Sequence, residues 1–135
     1  MKAKKVQILF AIMVLLLAAL ACSGSVSTAN IGEAWMATDA DGVNRTTVFG
    51  QDAVFYAMVD LKNAPDDTTL KAVWTAVDVE ETEPNFPLGE TEITSGDALI
   101  HFQLENTDYL WPKGQYKVEI YLNDTLDQTL TFEVQ

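Results

Sequence analysis

From Ile31 onward, apolar residues recur at every second position in short runs, and that spacing constrains the chain more than anything else in it. In the stretch 115–122, Tyr116, Val118, Ile120 and Leu122 fall on one side and Lys117, Glu119 and Tyr121 on the other. Successive side chains of a strand point to opposite faces, so this alternation describes strands with one face buried and one wet. The same arithmetic puts Phe55, Ala57, Val59 and Leu61 in one row. It does so again for Leu70, Ala72, Trp74 and Ala76, and for Leu130, Phe132 and Val134. Helical spacing is nearly absent.

Clusters of Asn, Asp, Gly and Pro separate the runs, as turn chemistry requires. Asn63-Ala64-Pro65-Asp66-Asp67 ends one strand. Asn123-Asp124-Thr125 is a tight hairpin turn, since Asn and Asp tolerate the positive φ such a turn demands. The reading yields about seven strands in the 105 residues of 31–135, enough for one domain and too few for two. Short strands at this density favour a single antiparallel β-sandwich. The runs 91–94 and 98–104 are read as a hairpin around Ser95-Gly96-Asp97, and 80–89 as a long acidic loop.

The first thirty residues follow different rules. Lys2, Lys4 and Lys5 precede an apolar run of 14 residues, 8–21, and no acidic residue occurs before Glu33. As a helix that run would reach roughly 21 Å, short of the roughly 30 Å hydrocarbon core. It has the pattern of a cleavable export signal. The run ends Leu17-Ala18-Ala19-Leu20-Ala21-Cys22, which resembles the lipobox of bacterial lipoproteins. The resemblance implies a signal peptide over 1–21, a diacylglyceryl group on the Cys22 thiol and cleavage before it. Position −3 is Ala19, where the family usually has leucine. Cys22 is the only cysteine, so no internal disulfide can form. Residues 22–30 then read as the lipidated cysteine and a flexible polar tether.

The chain carries 8 Lys and Arg against 20 Asp and Glu, a net charge of −12 that becomes −15 once the three leader lysines are lost. Anionic headgroups would repel such a body, so the domain is expected to stand off the bilayer. Nucleic acid is excluded as a partner, because phosphate binding needs clustered Lys and Arg.

The domain itself resembles immunoglobulin-like and fibronectin-III-like modules. The resemblance rests on Trp74 in a third-strand position and on Gly114-Gln115-Tyr116 opening the penultimate strand, which is similar to a tyrosine corner. In that motif the phenol hydroxyl bonds back to an earlier backbone group. The inter-sheet disulfide of the immunoglobulin family is missing, which brings the fibronectin-like relatives nearer and leaves the strand topology open. The likeness implies a fold and no activity.

No catalytic constellation is legible. His101 is the single histidine, alternates with core positions on a strand, and has no nucleophile-elbow pattern near it. Asp39-Ala40-Asp41-Gly42-Val43-Asn44 opens like a calcium loop, but position twelve is Gly50 and not glutamate. Asp39 and Asp41 are therefore only a weak metal candidate beside the plainer reading of an Asx turn, and no cofactor is implied. Glu80, Glu81 and Glu83, with apolar Phe86 and Leu88 on either side of Pro87, form a candidate partner contact. Tyr109, Trp111 and outward Tyr121 form a candidate glycan platform, although Trp111 also reads as a plug beneath the core. Trp74 reads as core, and Trp35 as either core or surface.

The expectation is a non-enzymatic interaction or structural module of the cell envelope. It would be lipid-anchored to the outer face of the cytoplasmic membrane, or to an outer membrane where one exists, and would meet an envelope protein. A glycan-binding accessory domain is the alternative.

Overall fold

The computed structural model describes residues 27–135. The expected signal peptide, Cys22 and the first part of the tether lie outside the described residues. Eight strands form two sheets: β1 (Asn30–Ala37), β2 (Val48–Phe49), β3 (Phe55–Lys62), β4 (Thr68–Val79), β5 (Phe86–Ser95), β6 (Ala98–Leu104), β7 (Gly114–Leu122) and β8 (Thr125–Val134). One sheet has the order β1-β3-β6 and the other β2-β8-β7-β4-β5. All pairings are antiparallel except β2 with β8.

The alternating residues pack where their period places them. Phe55, Ala57, Val59 and Leu61 of β3 are buried against Leu70, Ala72, Trp74 and Ala76 of β4 and Tyr116, Val118 and Ile120 of β7. Phe55 is the hub of an aromatic cluster. Its ring lies 4.7 Å from Trp111, 4.8 Å from Phe132 and 5.1 Å from Phe49, centroid to centroid. Such pairs add about 0.5–1.5 kcal/mol each beyond their buried area. The Trp74 side chain is 1% exposed, as core.

The β7–β8 hairpin closes through Asn123 and Asp124 at φ 48° and 67°, the positive values of a two-residue turn between the paired Leu122 and Thr125. The tyrosine corner forms as well: the Tyr116 hydroxyl donates to the Pro112 carbonyl, four residues back.

Two expectations fail. The runs 91–94 and 98–104 are not a hairpin. β5 pairs with β4 in one sheet and β6 with β3 in the other, so the chain changes sheets at Gly96-Asp97. The Asp97 carboxylate receives the Ala64 amide at 2.6 Å, tying the crossover to the β3–β4 turn. The acidic loop is also shorter than expected, because Phe86, Pro87 and Leu88 already belong to β5. A bulge opposite Trp74 and Thr75 turns Leu88 toward the core, with Gly89 at φ 145°. The extra residue breaks the period of two, which hid this strand.

The sandwich has two distinct poles. Thr28 donates to the Asn63 carbonyl at 2.7 Å, and the Asn123 side-chain amide donates to Ser27 Oγ at 3.4 Å. The chain therefore enters the domain beside the β3–β4 and β7–β8 turns. β4 runs from this pole to the other over 12 residues, roughly 35 Å of strand rise.

Candidate functional site

The pole remote from the chain entry carries an apolar cleft of about 630 Å³. Two segments frame it, the β4–β5 turn and the β6–β7 loop. Both are fixed locally. The Glu80 amide donates to the Lys113 carbonyl and the Asn85 amide to the Val77 carbonyl, each at 3.0 Å. Glu81 and Asn85 take positive φ of 58° and 57°, so the short turn reverses the chain within six residues.

The β6–β7 loop is clamped at Trp111. Its indole N–H donates to the Ala53 carbonyl at 2.8 Å, its backbone N–H to the Gln51 carbonyl at 2.8 Å, and its carbonyl receives the Gln51 side-chain amide at 3.1 Å. Asn106 Oδ1 receives the Asp108 and Tyr109 amides and starts the turn. With Trp111 and Pro112 held down, Tyr109 and Leu110 are pushed outward and are 74% and 59% exposed.

The floor of the cleft is Leu88, Leu104, Trp111 and Tyr116, and Phe86, Tyr109 and Leu110 stand on its walls. Glu81, Glu83 and Glu105 line it as well, and no lysine, arginine or histidine does. None of the three has an ion pair among the described residues, where the salt bridges are Arg45–Glu33, Lys62–Asp60 and Lys117–Glu119. Burial pushes the Tyr116 phenol up to about 12, so it stays protonated at the back of the cleft.

The two candidate sets from the sequence therefore meet in one place. Glu81, Glu83, Phe86 and Leu88 of the acidic segment line the same cleft as Tyr109 and Trp111. Glu80 does not line it; its backbone holds the base of the turn. The expected three-aromatic platform is not assembled. Trp111 is 6% exposed with its ring stacked on Phe55, and Tyr121 lies at the other end of β7, paired with Lys71. The Lys71 ammonium sits 4.8 Å from the Tyr121 ring centroid. Leu104, Glu105, Asn106 and Leu110 were missed as lining residues. Leu110 had a legible signal, an apolar side chain between two aromatic residues in a connecting loop.

Elsewhere, Asp39 Oδ1 receives the Asn44 amide at 2.8 Å and Oδ2 the Val43 amide at 3.1 Å, so the carboxylate closes the 39–44 loop on its own backbone. Those amides hold the carboxyl below its usual range. Among the described residues, no three Asp, Glu, His or Cys side chains are grouped to hold a metal. His101 is exposed on β6, 6.0 Å from the Tyr56 ring. Trp35 is half-buried under the 38–45 loop, donates to the Gly42 carbonyl at 3.0 Å, and carries the Arg45 guanidinium over its ring at 4.0 Å.

Two facing sheets, a core tryptophan and a tyrosine corner define an immunoglobulin-like β-sandwich. The chain is similar in structure to an immunoglobulin-like protein from Pseudomonas aeruginosa, with a TM-score of 0.56 and 16% identity, over 83% of this chain and 100% of that one. It is also similar to part of the Pseudomonas fluorescens alkylpurine DNA glycosylase AlkC, solved with DNA containing an abasic-site analogue. There the TM-score is 0.50 and the identity 14%, over 87% of this chain and 33% of that one. At such identities the likeness concerns the fold alone. No protein-family model matches the sequence, and no curated protein matches it significantly.

Proposed function

We propose that this protein is a membrane-anchored envelope lipoprotein whose sandwich is a non-enzymatic interaction module, and that the apolar cleft is its contact surface. The observation that carries this reading is the polarity of the domain. The chain enters at one pole, held by the Ser27 and Thr28 hydrogen bonds, and the cleft opens at the other. An acyl group on Cys22 would be at most about 17 Å of extended chain from Ser27. The entry pole would then face the bilayer, and the cleft would face outward, roughly a strand length away. Two acyl chains suffice for stable anchoring, since each buried CH₂ adds about 0.8 kcal/mol.

Three exposed apolar side chains around one cleft support the interaction role. Phe86, Tyr109 and Leu110 are three of the seven large apolar residues exposed in the described domain. Clustered apolar exposure marks contact sites, whereas scattered exposure does not. Glycan recognition is less well supported: Trp111 is 6% exposed, which leaves little ring face for a sugar, and Tyr121 lies at the far end of β7.

The test has two parts. Cys22→Ala is expected to abolish incorporation of labelled fatty acid and to release the protein from the membrane fraction. A photo-crosslinker at Leu110 is expected to capture a defined envelope neighbour in the native host, and one at Asp124 on the entry pole is not. Retention of acyl label in the cysteine-free variant, or equal capture from both poles, would refute the proposal.

A further inference from the structure

We infer that the cleft takes a peptide segment of a partner protein, in which an aromatic or aliphatic side chain fills the apolar floor and flanking Lys or Arg residues meet Glu81, Glu83 and Glu105. This rests on the reading of the cleft as a contact surface and names the chemistry that would fill it.

Three features of the cleft select that ligand. Its volume, about 630 Å³, lies within the roughly 300–1,000 Å³ of ligand clefts; its floor of Leu88, Leu104, Trp111 and Tyr116 is mainly apolar, and the polar groups of Thr82, Asn106 and Tyr116 that line it bond to the protein's own backbone. Such a floor favours an apolar side chain over a sugar ring or a phosphate. The rim supplies three carboxylates and no cation, so an anionic occupant is repelled and a cationic one is steered in. These carboxylates have no ion-pair partner among the described residues, so binding a cation breaks no existing salt bridge.

The third feature is the state of the neighbouring sheet edge. β5 is the outer strand of its sheet, and an unpaired edge is the usual route for adding a peptide as an extra strand. Beside the cleft this edge is blocked. Pro87 has no N–H to give, the bulge at Leu88 and Gly89 breaks the ladder, and Glu90 and Glu92 put charge just beyond it. A peptide arriving here engages by its side chains, in the cleft.

The full-length protein in detergent micelles should be used to select from a displayed library of random short peptides. Enriched sequences are expected to combine Trp, Phe or Leu with Lys or Arg on either side. Synthetic peptides from that pool should weaken by about tenfold or more on charge reversal of Glu81, Glu83 and Glu105 to Lys, and should weaken with rising salt. Leu110→Ser should weaken them comparably. Glu90→Lys with Glu92→Lys, exposed on β5 outside the cleft, should leave affinity within about twofold. Circular dichroism of each variant separates lost binding from lost fold. Enrichment of acidic or cation-free peptides, or affinity indifferent to both the triple reversal and Leu110→Ser, overturns the inference. So does occupation by soluble cell-wall glycan fragments in place of any peptide. A neighbour cross-linked in the host through Leu110 that carries no basic-apolar segment would leave the module reading standing and end this one.

Discussion

Tyr116→Phe probes the joint between the β6–β7 loop and the core. The substitution keeps the ring, which is 1% exposed and stacked on Phe132 at 5.5 Å, so it opens no cavity. It removes one hydroxyl and leaves the Pro112 carbonyl without its donor. An orphaned buried acceptor costs about 1–3 kcal/mol. Pro112 is only half-buried, so water can reach its carbonyl in part, which puts the cost at about 1–2 kcal/mol. For a domain of this size that is a fall in Tm of roughly 5–15 °C at neutral pH.

A second readout isolates the hydroxyl itself. The folded phenol titrates at about 12, above its ordinary value near 10, so the unfolded state releases the proton first. The wild-type stability contributed by keeping this group protonated is complete below pH 10 and is lost as pH rises toward 12. Phenylalanine has no such loss. The gap between variant and wild type, read by denaturant titration from pH 8 to 12, should be constant to about pH 10 and narrow above it. A variant as stable as wild type at pH 8, or a gap that does not change with pH, would refute the claim that a desolvated hydroxyl holds the corner.

Other perturbations test the backbone and the turns. Gly114→Ala should cost several kcal/mol, roughly 3 or more, because a Cβ there would lie 2.3 Å from the Asp78 carbonyl oxygen at φ 142°. Gly89→Ala, at a similar φ of 145° but with open space around it, should cost only about 1–2 kcal/mol; equal losses in a thermal melt would discredit the contact argument. Asp124→Gly should raise Tm slightly, since residue 124 holds φ 67° and Asn-Gly is the preferred pair for this turn; a lower Tm would contradict that. Asp39→Ala should lower stability above about pH 4 and have little effect in acid. Its carboxyl is held below the usual range by backbone amides, so its contribution is present above the unfolded pKa and fades as pH falls through the folded one. Added calcium should leave the wild-type melt unchanged, and a rise in Tm would reopen Asp39 and Asp41 as a metal site.

The sequence by itself determined which residues face inward. A strand's side chains alternate whatever its neighbours are, so the rows on β3, β4 and β7 could be read off without knowing any partner. Local chemistry likewise determined the Asn123-Asp124 turn and the Tyr116 corner, whose partners lie within four residues. Only the tertiary structure decided which sheet each strand joined. β5 and β6 are separated by a two-residue link that a hairpin would fit equally well, and the pairing of β5 with the preceding β4 and of β6 with the distant β3 prevailed. The bulge at Leu88 belongs to the same class, since it exists only against β4. The cleft was decided there too. Its acidic and aromatic halves lie on turns some twenty-five residues apart, and they meet because β4 ends and β7 begins at the same pole. Alternation is a property of one strand, whereas a site at a sandwich pole is a property of how strands are ordered, and the order depends on contacts that no short window of sequence contains.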